Sequence, residues 1–357
     1  MTGDLRRILF LSHSHAFRAF RVGSHHYARE LAQRGMEVVH LSTPISHVHR
    51  RLGRVSHSEE SRVPRGLHHD RDGVTHLVPR TTMPAPFGRL TAGRELDQHG
   101  VDTRFDAVLI DQPLLWDDSV RGLSERLVYR PTDLYPAGVK ARMQKSIMAA
   151  ADGVAATSGE VLGGLGPLRQ PHLVLGNGVD TVHFTASVES ERPAVCIYVG
   201  ALDRRFDWQQ LRAWAQDRPG VRFVVVGPSP APPVTLPDNV ELAGGVAYST
   251  LPTLLHSARV GMLPLSDDPL NEGRSPMKLY EYLAAGLAVV ARETPVIGAD
   301  EHAGLFTYSD EGGALAALDN ALSHASPNTA GVQRAEQQSW STKTDRLVDF
   351  ILTLPRR

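Results

Sequence analysis

Short apolar runs alternate with stretches of helical spacing along the whole chain. "RRILFLS" at 6–12 is an apolar run ending in polar residues, and "GSHHYARELAQRG" at 23–35 puts Tyr27 and Leu31 one helical turn apart before Gly35 stops the pattern. "MEVVHLS" then supplies the next strand, which makes a β-loop-α-β unit and the start of a doubly wound sheet. Further strands are expected at "THLVPR", "DAVLID", "RLVYRP" and "HLVLGNGVD", with a helix running into a strand over "VKARMQKSIMAAADGVAATS". Residues 44–75 are polar, rich in His and Arg and weakly patterned, so they read as a mobile or acceptor-facing loop region.

The pattern pauses at "TVHFTASVESERP", 181–193, which reads as a linker. It then restarts through "AVCIYVG", "DWQQLRAWAQDRPG", "VRFVVVG", "VELAGGV", "VGMLPL", "AVVAR" and "LFTYS", and ends in an amphipathic helix, "STKTDRLVDFILTL". The fold class is therefore α/β, two doubly wound Rossmann-like domains in series. The expected division is 1–185, 186–340, and a terminal helix at 341–357.

A length of 357 residues suits two domains, and 41% hydrophobic with 22% charged residues is globular composition. A formal charge of −1 gives no global field toward nucleic acid. The single cysteine, Cys196, sits in an apolar run and reads as a buried reduced thiol. The apolar run after Arg6 and Arg7 breaks at Ser12, too short for a signal peptide, and no stretch reaches a membrane-spanning length. The reading places the chain in the cytoplasm, with peripheral contact at the inner face of the membrane allowed. Oligomeric state is not legible.

"NEGRSPMKLYEYLAAG" at 271–286 carries the most pointed chemistry. Ser275 reads as an N-cap and Pro276 as the first helical residue. Arg274 and Lys278 then lie at the positive end of the helix dipole, each costing about 0.3–1 kcal/mol unless an anion joins them. Lys278 is one of four lysines, and free N–H groups at Met277 and Lys278 would help it hold a phosphate. Glu281, one turn on, is placed to accept hydrogen bonds from a ribose diol. Solvated charges on an ordinary amphipathic helix are the alternative. No P-loop pattern is present, and "SDDP" at 266–269 reads as a turn rather than a metal motif.

"SPMKLYEYLAAGLAVVA" resembles the donor-nucleotide motif of GT-B glycosyltransferases. "VGSHHYARELAQRGMEV" resembles their first acceptor-side loop and helix, and "VLGNGVDTVHF" their interdomain segment. "LVYRPTDLYP" and "SWSTKTDRLVDF" are similar to the bacterial glucuronosyltransferases of the xanthan and teichuronic acid type. The resemblance implies two domains facing across a cleft, with the C-terminal helix returning to the first. It implies transfer from a nucleoside-diphosphate sugar, UDP-linked with glucuronate as a candidate sugar, to an acceptor hydroxyl on a saccharide, a lipid-linked saccharide or a small molecule. No metal or cofactor is expected.

By that resemblance Asp133 is the base of an inverting transfer, its alternative role being a helix N-cap, and Asp111 is the second candidate. Donor contacts are expected from Arg274, Ser275, Met277, Lys278 and Glu281, with Gly200, Leu202, Gly245 and Val246 at strand ends. His13, His15, Arg18, Arg21, Gly23 and His25 are expected on the acceptor side. The chain departs from the family at Leu265, where an aromatic residue is usual, and at Gly245, where a glutamate is usual. Glu272 and Glu281 are separated by eight residues rather than the seven common in retaining enzymes. A retaining transferase, a nucleotide-sugar epimerase or phosphorylase of the same fold, and a silent sugar-nucleotide binder are the alternatives.

Overall fold

In the computed structural model, residues 5–357 are described apart from 19, 54, 56, 86, 88, 89, 186–190, 229 and 230. By contacts the chain divides into Met1–Gly176 with Lys343–Arg357, and Asn177–Thr342.

The first unit runs β1 (Arg7–Ser12), α1 (Gly23–Gln33), β2 (Glu37–Ser42), β3 (Ile45–Ser46), α2 (His47–Arg51), α3 (His57–Arg62), β4 (Leu67–His69), β5 (Val74–Leu77), β6 (Arg80–Thr81), α4 (Ala92–Gln98), β7 (Phe105–Ile110), β8 (Ser124–Tyr129), α5 (Gly138–Ala150), β9 (Gly153–Ala156), α6 (Gly159–Gly163) and β10 (His172–Val174). Its main sheet has the order β10-β9-β8-β7-β1-β2-β5-β4, parallel except for β4 against β5. The central strands β1, β7 and β8 are buried on both faces, which is why they read as continuous apolar runs rather than alternating ones. The stretch 44–75 is not the expected loop region. Ile45, Val63 and Val78 form a small core of their own with Phe17 packed on it, and that core organises β3, α2, α3 and β4.

The second unit runs β11 (Val195–Val199), α7 (Trp208–Asp217), β12 (Arg222–Val226), β13 (Val240–Gly244), α8 (Leu251–His256), β14 (Val260–Leu263), α9 (Met277–Ala284), β15 (Ala288–Arg292), β16 (Leu305–Tyr308), α10 (Glu311–Ser323) and α11 (Thr329–Glu336), leading into α12 (Trp340–Thr353). Its six strands are all parallel, in the order β13-β12-β11-β14-β15-β16. Val179 and Phe184 are fully buried in this unit's core, so the boundary falls at Gly176/Asn177. Of the predicted linker, 186–190 lie outside the described residues. The last part of α12 packs in the first unit, where Leu354 and Phe350 close over Gly153 and Arg126 Nε donates to the Leu354 carbonyl at 3.1 Å.

Three histidines stand together inside the first unit. The ring centroids of His25 and His40 are 4.9 Å apart, and those of His40 and His76 5.4 Å. His40 Nε2 lies 3.3 Å from Ser24 Oγ, which in turn lies 2.7 Å from Ser12 Oγ, and His76 Nε2 is 2.9 Å from Asp70 Oδ2. Burial, reinforced by the neighbouring His76, His13 and Arg21, pushes His25 down to about 3, and burial holds His40 well below the usual histidine range. Both rings are therefore neutral in the folded chain at neutral pH.

A group whose folded pKa is depressed contributes its full stability above its unfolded pKa, about 6.5 for histidine, and loses it as pH falls below that value. Calorimetry from pH 7 to 5 should show stability falling by up to about 1.4 kcal/mol per pH unit for each such histidine, and His40→Gln should flatten the slope. An unchanged slope in His40→Gln would show that His40 is not one of the groups responsible.

Candidate functional site

Helix α9 begins at Met277, with extended Pro276 as its N-cap and no side chain capping it. This corrects the expected cap at Ser275. The Ser275 hydroxyl is instead taken by Asn177, whose N–H donates to Ser275 Oγ at 3.0 Å while its side-chain amide donates to the Ser275 carbonyl at 2.7 Å. Asn177 belongs to the "GNGVD" turn, so two sequence-distant loops are tied just before the helix. With no helical turn before them, the Met277 and Lys278 N–H groups have no acceptor within the helix.

Lys278 is half-buried, and burial, then the neighbouring Arg274 charge, pushes its ammonium down to about 8. Glu281 is buried and its carboxyl is raised by that burial, against the pull of Lys278. One residue further, Tyr282 Oη accepts the Val199 N–H at 2.8 Å. That bond stands where β11 has parted from β14, whose pairing covers only Cys196–Val260 and Ile197–Gly261.

The carboxyl ends of β11 and β12 are bare backbone. A Cβ on Gly200 would overlap Lys278 Cε and stand 3.0 Å from Nζ, and a Cβ on Gly227 would overlap the Gly200 carbonyl. The ladder continues there, with Gly200 N–H to Val226 O and Gly227 N–H to Gly244 O, both at 2.8 Å. Lys278 thus rests its charge over a glycine floor. Gly245 is exposed and Val246 half-buried just beyond β13, as strand-end residues should be. Leu202 has its side chain buried in the core, which leaves its backbone for the contact expected of it. Arg205, paired with Asp203 at 2.9 Å, adds charge near Lys278 and was not singled out in the sequence.

In the first unit the strand ends of β1, β7 and β8 gather His13, Asp111, Arg130 and Asp133. Asp111 is not available as a base. Arg130 Nε and Nη2 donate to its two oxygens at 2.8 and 2.6 Å, both side chains are buried, and Arg130 lies 5.0 Å from the Tyr27 ring centroid. Removing a proton acceptor from such a pair would strand a buried cation. Asp133 is exposed, and its one hydrogen-bond partner among the described residues is Thr132 Oγ1, which donates at 3.1 Å. It does not cap α5, whose N-cap is Ala137. His13 is held below the ordinary histidine range by burial, with Asp111 and Asp133 opposing and Arg130 and Lys140 adding to the shift. Lys140 Nζ lies 4.6 Å from the Tyr135 ring centroid.

His25 is also withdrawn from the acceptor side. Its Nδ1 accepts the Val22 N–H at 3.2 Å, so Nε2 carries the proton and donates to the Ser14 carbonyl at 2.9 Å. His15 is buried beside Phe17, and Gly23 is buried as the first residue of α1, while Arg18 is exposed and Arg21 half-buried on the loop between. In "SDDP", Asp268 caps the turn Pro269–Asn271 and pairs with Arg204 at 2.7 Å. Among the described residues no group of three or more His, Cys, Asp or Glu is placed to hold a metal ion.

Residues 193–324 match the family described as "Glycosyl transferases group 1". The putative teichuronic acid biosynthesis glycosyltransferase TuaH of Bacillus subtilis (strain 168) is 26% identical over 134 residues. That match spans 33% of this chain and 34% of the relative. Among solved structures, Anabaena Alr3699/HepE in complex with UDP and glucose superposes with a TM-score of 0.65 at 16% identity, covering 98% of this chain and 100% of that one. The E. coli trehalose-6-phosphate protein bound with UDP-2-fluoro glucose gives a TM-score of 0.70 at 10% identity, again over 98% and 100%. The parallel six-stranded sheet, the glycine floor and the cationic start of α9 all lie on the segment that the family matches. Residues 193–324 thus match the group 1 glycosyl transferases, on a chain whose fold is that of the GT-B structures it superposes on.

Proposed function

We propose that the chain transfers a sugar from a nucleoside-diphosphate sugar to an acceptor hydroxyl. The observation that carries this reading is the start of α9, where Arg274, the Lys278 ammonium and two N–H groups without helical acceptors converge beside bare strand ends. A diphosphate meets all of them at once, and charge-assisted bonds of this kind are worth about 1.5–3 kcal/mol each. Together they supply the neutralisation that a divalent ion would otherwise bring. Ser275, held by Asn177, keeps the loop in place, and Glu281 receives the ribose diol. The base lies over Gly200, Gly245 and Val246 with the Leu202 backbone beside it. The UDP-bound proteins of the same fold favour uridine, and glucuronate as the sugar rests on the sequence resemblance.

In the transfer, the acceptor oxygen bonds to the anomeric carbon as the bond from that carbon to the β-phosphate oxygen breaks. The electron pair leaves with the diphosphate, stabilised by Lys278 and the helix start. The acceptor proton passes to Asp133, the carboxylate of its cluster without an arginine partner, which makes the transfer inverting. His13, Arg18, Arg21 and the start of α1 at Gly23 orient the acceptor, a saccharide, lipid-linked saccharide or small molecule.

Calorimetric titration with UDP tests the donor site. A diphosphate favours charged Lys278, so affinity should fall by up to about tenfold per pH unit above pH 8. Lys278→Met should bind UDP at least about tenfold more weakly at pH 7 and lose that dependence. Equal affinity in Lys278→Met would overturn the reading of α9. Gly200→Ala displaces the flexible end of Lys278 and presses on the Tyr198 hydroxyl, so it should lower UDP affinity and cost about 1–3 kcal/mol of stability.

Asp133→Asn should keep UDP affinity and lower the turnover of donor, by transfer or slow hydrolysis, about 10²- to 10⁴-fold. Full turnover in that variant would remove Asp133 from the mechanism.

A further inference from the structure

The first unit carries an apolar surface inside a basic region, and neither belongs to the donor or acceptor clusters. Phe87 is 70% exposed, Leu52 62% and Met83 43%. Met83 and Phe87 share a surface crevice with Arg80, Arg94 and Glu95, and α2, which Leu52 follows, donates the Val48 N–H to the Thr82 carbonyl beside Met83. Large apolar side chains this exposed, two of them in one crevice, mark contact with something other than water.

Charge identifies the partner. Residues 47–94 hold nine arginines and no lysine against four acidic residues, in a chain whose overall charge is −1. Arg50 and Arg80 share the single carboxylate of Glu60, at 3.0 and 2.7 Å. Arg51 and Arg94 are exposed and have no ion-pair partner among the described residues. Apolar tips beside arginines that outnumber the carboxylates of Glu60 and Glu95 suit a surface that is anionic outside and apolar beneath. No helix among the described residues is long and apolar enough to cross a membrane, so the contact would be peripheral.

We propose that Leu52, Met83 and Phe87, with Arg51, Arg80 and Arg94 around them, dock the first unit on an anionic lipid bilayer. This goes beyond the transfer reading and does not depend on it, since docking is measured without donor or acceptor. Each apolar tip enters the headgroup boundary while the guanidiniums stay among lipid phosphates.

The test is sedimentation of the full chain with phosphatidylcholine vesicles, with and without phosphatidylglycerol, at low and high salt. The wild type should partition at least about tenfold more strongly to the anionic vesicles, and salt should weaken it. The double variant Leu52→Ser, Phe87→Ser should lose at least about tenfold of that partitioning with UDP affinity unchanged. Arg51→Glu with Arg94→Glu, at exposed positions that do not threaten folding, should lose the preference for anionic lipid. Equal partitioning to both vesicle types overturns the proposal, as does wild-type partitioning in either variant. A dimer seen by light scattering and dissolved by the serine variant would assign the face to a second copy of the chain and overturn it too.

Discussion

Lys278 holds its charge above Gly200 because no Cβ stands there, and Gly200 can sit so close to the next strand only because Gly227 also lacks one. Two missing methyl groups thus set the height of the floor, the position of the ammonium and the room left above the strand ends. Burial of the Lys278 ammonium, and then the nearby Arg274 charge, makes the arrangement costly when empty, and the depressed pKa of Lys278 is the sign of that cost. A site of this kind is poised for a dianion, because the cations are already gathered and the N–H groups already aimed.

The strand-end cluster of the first unit shows the opposite arrangement. Asp111 and Arg130 pair with each other deep in the sheet, so their charges are held between the strands. Asp133 has a hydroxyl as its one hydrogen-bond partner among the described residues and remains open to solvent. Two aspartates at neighbouring strand ends therefore have different work available to them, and the difference lies in which one an arginine has claimed.

Much of the fold was legible in the sequence because parallel strands buried on both faces leave unbroken apolar runs, as at Ile8–Leu11 and Phe223–Val226. The anion site was legible because its charges are consecutive and oppose the local dipole. Contacts between distant residues were not. Asp111 and Arg130 are nineteen positions apart and meet across β7 and β8, while Asn177 and Ser275 are ninety-eight apart. Nothing local to Ser275 distinguishes a hydroxyl that caps a helix from one that ties down a loop. The small core of Ile45, Val63 and Val78 escaped for the same reason, since three apolar residues scattered among histidines and arginines show no period.

The Tyr282 hydroxyl has a mechanical consequence. It sits on α9 one turn beyond Lys278 and receives the N–H of the residue before Gly200, so helix and strand are pinned at the point where β11 has parted from β14. The helix cannot slide along its axis without stripping a buried N–H of its partner, a penalty of about 1–3 kcal/mol. The spacing between the ammonium and the glycine floor is therefore a fixed gauge. Ligands that differ in the reach of their phosphates must be accommodated by the arginine side chains around it, never by the backbone.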